Sequence, residues 1–68
     1  MKISARNQIS GTVTGITPGA VNGHVMVDIG NGNVIMANIT EEAIADLALQ
    51  AGDKVTVLIK ASDVLIGK

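Results

Sequence analysis

Hydrophobic and polar residues alternate along much of this chain. From Ile3 to Val13 the odd positions read Ile3, Ala5, Asn7, Ile9, Gly11 and Val13, and the even ones Ser4, Arg6, Gln8, Ser10 and Thr12. A period of two predicts a strand with one apolar face, and it puts Ser4 and Arg6 together on the other face. Asn7 is the one polar break in the apolar row. Gly11 and Gly15 predict strong coiling or the close approach of another strand. Thr17-Pro18-Gly19-Ala20 reads as a turn, because Pro presets φ and Gly permits unusual angles.

A second strand is predicted over Val21 to Ile29, with Val21, Gly23, Val25, Val27 and Ile29 inward. Gly30-Asn31-Gly32-Asn33 is a hairpin signal. The third strand, Val34 to Ile39, is apolar on both faces through Val34-Ile35-Met36-Ala37, as a strand covered on both sides would be. Thr40 then suits a helix N-cap, with Glu41 and Glu42 where the helix dipole favours acids. Ile44, Leu47 and Ala48 have helical spacing, and Gly52 is placed as a C-cap glycine would be. Lys54 to Lys60 alternates again, and Val64-Leu65-Ile66 reads as a short closing strand. The order predicts an all-β fold with one short helix, a five-stranded barrel of the oligonucleotide/oligosaccharide-binding type. A small sandwich is the alternative. No repeat, low-complexity segment or second domain interrupts residues 1–68.

Composition changes this picture in one respect. The chain has 68 residues, no Cys and no Phe, Tyr or Trp, yet 47% of it is hydrophobic. So short a domain usually needs a disulfide, a metal or a partner. Cys is absent, and His24, the only histidine, gives no metal spacing. The aliphatic excess therefore predicts subunit interfaces, against the alternative of a monomer with an exposed apolar patch. No run approaches the ~20 apolar residues of a membrane span, and no signal-peptide core follows Met1-Lys2, so the expectation is a cytoplasmic protein. The formal net charge is −1. With no aromatic residue to stack bases, that charge excludes a nucleic-acid-binding barrel.

The candidate chemistry lies at the two ends. Ser4 and Arg6 sit in one segment, and Lys60-Ala61-Ser62 forms the other. Arg6 is the only arginine and Lys60 one of four lysines. A small tetrahedral dianion must exchange its hydration shell for donors. Arg supplies a planar fork and Lys a point charge, together cancelling two negative charges. The hydroxyls of Ser4 and Ser62 and the amides around Ala61 add donors without charge. The competing reading of the same spacing is a solvated strand face, with Asp63 pairing Lys60 or Arg6 on the surface. No nucleophile has a His partner, and Glu41 and Glu42 have a structural reason to be where they are, so no enzyme chemistry is legible.

The segments Ile3-Ser4-Ala5-Arg6-Asn7-Gln8, Gly11-Thr12-Val13, Gly52-Asp53-Lys54-Val55 and Leu58-Ile59-Lys60-Ala61-Ser62 resemble the molbindin family, small proteins that bind molybdate and tungstate (the TOBE/Mop module). The resemblance spans essentially the whole chain. It implies a barrel of the kind described above, assembled as a hexamer (a trimer of dimers) with oxyanions held between subunits and no organic cofactor or metal cation. It implies that Ser4, Arg6, Lys60, Ala61 and Ser62 form the main site, one subunit giving the N-terminal segment and its neighbour the C-terminal one. Thr40 is an added contact. The turn Gly19-Ala20-Val21-Asn22 is the candidate for a second site of backbone amides. The chain departs from some members in carrying Ala43, not a hydroxyl residue, just after Thr40. The implied function is storage or buffering of molybdenum. The alternative is a regulatory or structural interaction module on the same barrel with no ligand.

Overall fold

The computed structural model describes all 68 residues. Four strands and one helix form in the order β1 (Asn7–Thr17), β2 (Asn22–Gly30), β3 (Asn33–Thr40), α1 (Glu41–Asp46) and β4 (Lys54–Ile59), followed by a 3-10 turn at Ala61–Asp63. The strands make one antiparallel sheet in the order β3-β2-β1-β4, curled into a half-barrel. β3 and β4 are its two open edges.

β1 organises the sheet because it pairs on both sides. Against β4 the register runs from Asn7↔Ile59 to Thr12↔Lys54. Against β2 it runs from Thr12↔Asp28 and Val13↔Val27 to Gly15↔Met26, Ile16↔Val25 and Thr17↔His24, so Thr14 is an extra, bulged residue. A bulge resets the inward phase of a strand. Val13 is 1% exposed and Ile16 also packs on the core, although they differ by an odd number of positions. Gly11 allows the sheet to curl tightly. A Cβ there would stand 2.5 Å from Val27 Cγ1 and 2.8 Å from the Asp28 carbonyl oxygen.

The hairpin between β2 and β3 has Asn31 at φ 55 and Gly32 at φ 78. Two positive φ values in sequence define the turn that Asn-Gly favours. Thr40 caps α1 as expected, its hydroxyl oxygen accepting from the Ala43 amide at 3.0 Å. Ile44 turns inward onto Val13, Val25 and Val27, and these four are the only buried aliphatic side chains. Burial of apolar area stabilises at ~25 cal/mol per Å², so four such residues make a thin core.

Several expectations are corrected. β1 begins at Asn7, not Ile3, because β4 ends at Ile59 and offers the earlier residues no pairing partner. Ser4 and Arg6 therefore precede the strand. Val21 lies in the turn before β2 and is 73% exposed, not inward. Val64-Leu65-Ile66 pairs with nothing in this chain, and Leu65 and Ile66 are each 90% exposed, so the sheet has four strands where five were expected.

Gly52 is not the helix C-cap. The helix closes earlier, with Leu49 N donating to the Ile44 carbonyl at 3.1 Å and Ala48 N to the Ala45 carbonyl at 3.0 Å. That is a Schellman closure, and Ala48 takes its left-handed position at φ 50. Leu47 is left 66% exposed beyond the helix. Gly52, at φ 96, instead shapes the turn into β4, donating to the Val13 carbonyl at 2.8 Å.

An Ala Cβ is strained in the left-handed region, whereas Gly is not. Ala48→Gly is therefore expected to raise stability by about 1 kcal/mol, which moves the thermal midpoint of so small a domain up by roughly 4–8 °C. A thermal melt at fixed protein concentration checks this, and an unchanged or lower midpoint contradicts it.

Candidate functional site

The β1–β4 ladder decides where the two charged segments lie. Pairing of Asn7 with Ile59 makes Arg6 and Lys60 the next residue outward on each strand. The chain ends before Asn7 and after Ile59 therefore leave the sheet side by side. They enclose an open cleft of about 490 Å³ lined by Ile3, Ser4, Ala5, Arg6, Lys60, Ala61 and Ser62. Residues 56 positions apart, Ser4 and Lys60, thus line one depression of a single protomer.

Two side chains fasten this junction. Asn7 Nδ2 donates to the Ile59 carbonyl at 3.1 Å, a half-buried bond that ties the start of β1 to the end of β4. Gln8 Nε2 donates to the Ala5 carbonyl at 2.9 Å, drawing the Ser4–Arg6 segment back over the strand. Neither role was read from the residues. The available signal was Asn7, the polar break in an apolar row, since a half-buried amide demands a partner.

On the other side, the 3-10 turn is held by Asp63 N donating to the Lys60 carbonyl at 2.9 Å and Val64 N to the Ala61 carbonyl at 3.3 Å. Lys60 stands before it with φ −63 and ψ 134 and makes no side-chain cap. The amides of Ala61 and Ser62 donate to no backbone carbonyl. No side-chain hydrogen bond of the chain engages Ser4, Arg6, Lys60 or Ser62. Asp63 accepts no hydrogen bond from either cation, so the surface pair of the competing reading is not made by hydrogen bonding. The cleft thus presents one guanidinium, one ammonium, two hydroxyls and two amides, all with donor capacity to spare. It contains no carboxylate among its lining residues.

Thr40 and the Gly19–Asn22 turn lie at the far end of β1. Asn22 pairs with Thr40 across β2 and β3, so these residues sit together and apart from Arg6 and Lys60 of the same chain. The turn is already occupied by an acid. Glu41 Oε1 accepts from the Gly19 amide at 2.8 Å, and the Glu41 amide donates to the Val21 carbonyl at 2.7 Å. Gly23 makes room for this packing, since a Cβ there would be 2.6 Å from Glu41 Oε1 and 2.7 Å from Ile44 Cδ1. No group of three or more His, Cys, Asp and Glu side chains is placed to hold a metal cation, and no helix is long and apolar enough to cross a membrane.

A curled antiparallel half-barrel with a donor-lined cleft at the junction of its first and last strands defines a small β-module with a site suited to anions. The family model for the TOBE domain matches residues 3–66, and the chain belongs to that family. It is 45% identical over 67 residues to a Haemophilus influenzae protein named "Probable molybdenum-pterin-binding protein", covering 98% of this chain and 97% of that one. The molybdate-binding protein of Sporomusa ovata superposes with a TM-score of 0.93 at 43% identity, covering the whole of both chains. The cytoplasmic molybdate-binding protein ModG, solved with molybdate bound, superposes with a TM-score of 0.89 at 42% identity, covering 96% of this chain and 46% of that one.

Loss of the Asn7–Ile59 bond removes the fastening of the cleft without touching a charge. One such hydrogen bond contributes about 1 kcal/mol net. Asn7→Ala is therefore expected to lower the urea midpoint by the equivalent of ~1 kcal/mol while the strand content seen by circular dichroism stays the same. A wild-type midpoint would show that the bond does not hold the two segments together.

Proposed function

We propose that this protein binds molybdate, and tungstate of like shape and charge, in the cleft between the Ser4–Arg6 and Lys60–Ser62 segments. The observation that carries the reading is the meeting of Arg6, Lys60, Ser4 and Ser62 on one cleft with no acidic residue in its lining. Two full positive charges match a dianion, and the guanidinium fork can face two of its oxygens at once. Ser4, Ser62 and the amides of Ala61 and Ser62 complete the donor set. The molybdate-binding relatives of Sporomusa ovata and the ModG protein, which share this fold nearly throughout the chain, support the choice of anion. Function is binding without catalysis, and neither an organic cofactor nor a metal cation is required.

The cleft is open, and its cations are solvated. Charges facing water interact weakly, because the effective dielectric is high and salt screens them. Tight binding therefore needs a wall that excludes water. A second subunit is the natural wall, which places the ligand at an intersubunit site in a hexamer built as a trimer of dimers. A ligand that binds only the assembled form stabilises assembly by mass action. Such a protein would store or buffer molybdenum in the cytoplasm, the compartment given for ModG. At the second position, the turn Gly19-Ala20-Val21-Asn22 with Thr40, an oxyanion must compete with Glu41 for the Gly19 amide.

Isothermal titration with molybdate and with sulfate, on wild type and Arg6→Ala, tests the reading. Truncating one partner of a desolvated charge pair costs on the order of 2 kcal/mol or more. Arg6→Ala is therefore expected to weaken molybdate binding at least ~30-fold, with the fold unchanged by circular dichroism. Wild-type affinity in the variant would remove Arg6 from the site. No heat from either anion with wild type would favour the interaction module instead.

A further inference from the structure

We propose that His24, Met26 and Met36 form a binding site for a soft monovalent cation, Cu(I), on the outer face of the β2–β3 hairpin. None of the three lines the cleft of Arg6 and Lys60, so the inference goes beyond the oxyanion reading and does not rest on it.

Along the chain Met36 stands 12 residues from His24, a spacing that belongs to no metal motif. The register brings the two together. Met26 pairs directly with Met36, and His24 pairs with Asn38 one step along the same face. Residues two apart on a strand share a face, so His24, Met26, Met36 and Asn38 are the corners of one block. Directly opposed residues are about 5 Å apart at Cβ and diagonal ones about 7–8 Å, spans that long side chains cross. The face is the solvent one, since Gly23, Val25 and Val27 alternate with these positions and are buried.

The chain has three methionines, one histidine and no cysteine. Two of its three thioethers and its only imidazole therefore meet in one patch, and Met1 alone lies outside it. His24 is exposed and makes no side-chain hydrogen bond. Met36 is 63% exposed, so both side chains are free to turn toward a shared ion. Met26 is half-buried with its methyl beside Gly15, where a Cβ would stand 3.2 Å from Met26 Cε. The bare backbone of Gly15 leaves this unbranched thioether room to swing about its stem.

The donor set selects the cation. Thioethers are soft and favour Cu(I), whereas Zn(II) calls for thiolates, several imidazoles or carboxylates, and Cu(II) for nitrogen and oxygen. No group of His, Cys, Asp and Glu elsewhere in the chain competes as a harder site. All three proposed ligands are neutral when they bind. Asp28, which follows Met26 on the same face, supplies a negative charge near the ion.

The test uses the full chain, freed of metal and kept anaerobic, and measures how much Cu(I) it withdraws from a coloured Cu(I) chelator. Wild type is expected to take a single Cu(I) per chain. Loss of a group that only orients a ligand costs ~10–100-fold in metal affinity, so loss of a ligand itself in His24→Gln or Met36→Leu is expected to cost at least ~10-fold. Both positions are exposed, and circular dichroism is expected to show the fold unchanged. Met1→Leu is expected to bind as wild type does. Ag(I), of the same charge and without redox chemistry, gives an independent readout by NMR. The methyls of Met26 and Met36 and the ring protons of His24 are expected to shift on its addition, and the Met1 methyl to stay. Wild type that takes no Cu(I) from the chelator overturns the proposal, the result that a second copy covering this face would produce. Wild-type uptake by both His24→Gln and Met36→Leu also overturns it, as does loss of uptake in Met1→Leu, which would put the metal at the N-terminus.

Discussion

The pairing of β1 with β4 is the interaction on which everything else here rests. It joins residues as far apart in the chain as Asn7 and Ile59, so it carries a large loop-closure cost that only a continuous ladder can offset. Local devices prepare for it. The Asn31-Gly32 hairpin aligns β2 with β3, and the Thr40 cap and Ala48 closure keep α1 to its short span over the core. Once the ladder forms, its first rung sets the position of both chain ends. Arg6 and Lys60 would otherwise repel each other and drift apart. The same backbone hydrogen bonds that hold the sheet hold these two cations near one cleft.

Glycine and the Thr14 bulge let β1 serve two neighbours at once. The sheet has to curl so that Val13, Val25 and Val27 meet Ile44 on the inside. Curling brings β2 close enough that Gly11 has no room for a side chain, with Val27 Cγ1 and the Asp28 carbonyl both inside contact distance of a Cβ. The bulge then turns Ile16 back inward after Val13. Without it the second half of β1 would expose its apolar row, since a one-residue change of phase exchanges the two faces of a strand.

Much of this was legible in the residues, and the failures have physical causes. β2, the hairpin and the Thr40 cap follow from alternation, Asn-Gly and a capping hydroxyl, all of which act locally, whereas β3 was read from apolar residues on both faces and in this chain is an edge strand with Val34 and Met36 exposed. Alternation cannot show where pairing begins. Ile3 to Arg6 continues the phase of β1, but β4 ends too soon to pair with it. The αL position of the helix end was hidden because Ala48 fills it where glycine is the usual resident, and the nearby Gly52 drew the assignment four residues too far. Ser4, Arg6, Lys60, Ala61 and Ser62 were grouped on chemistry, and the register brings all five onto one cleft. Gln8 was missed because its hydrogen bond to a main-chain carbonyl leaves no trace in charge or hydropathy, and Asn7 because a polar break in an apolar row signals a need for a partner without naming it. Val64-Leu65-Ile66 was read as a strand from its composition, but composition does not say which edge would pair with it, and no strand of this chain does.

That last ambiguity bears on how a thin, aliphatic module could hold an oxyanion at all. A cleft made of solvated cations attracts sulfate, phosphate and molybdate alike, because in water their hydration competes with every donor offered. Discrimination and strength come when the site is dry and its donors are fixed before the ligand arrives. One copy of this chain fixes the donors only along one side, through Asn7, Gln8 and the 60–64 turn. It has too few buried side chains to spare any for roofing the cleft. The cheapest remaining source of both rigidity and dryness is another copy of the same surface, whose unburied Leu and Ile side chains have the same need. On this argument the poverty of the single-chain core is not a defect to be compensated elsewhere. Under the proposed function it is what would couple assembly to the site, the apolar surface that one chain leaves exposed serving to complete its neighbour.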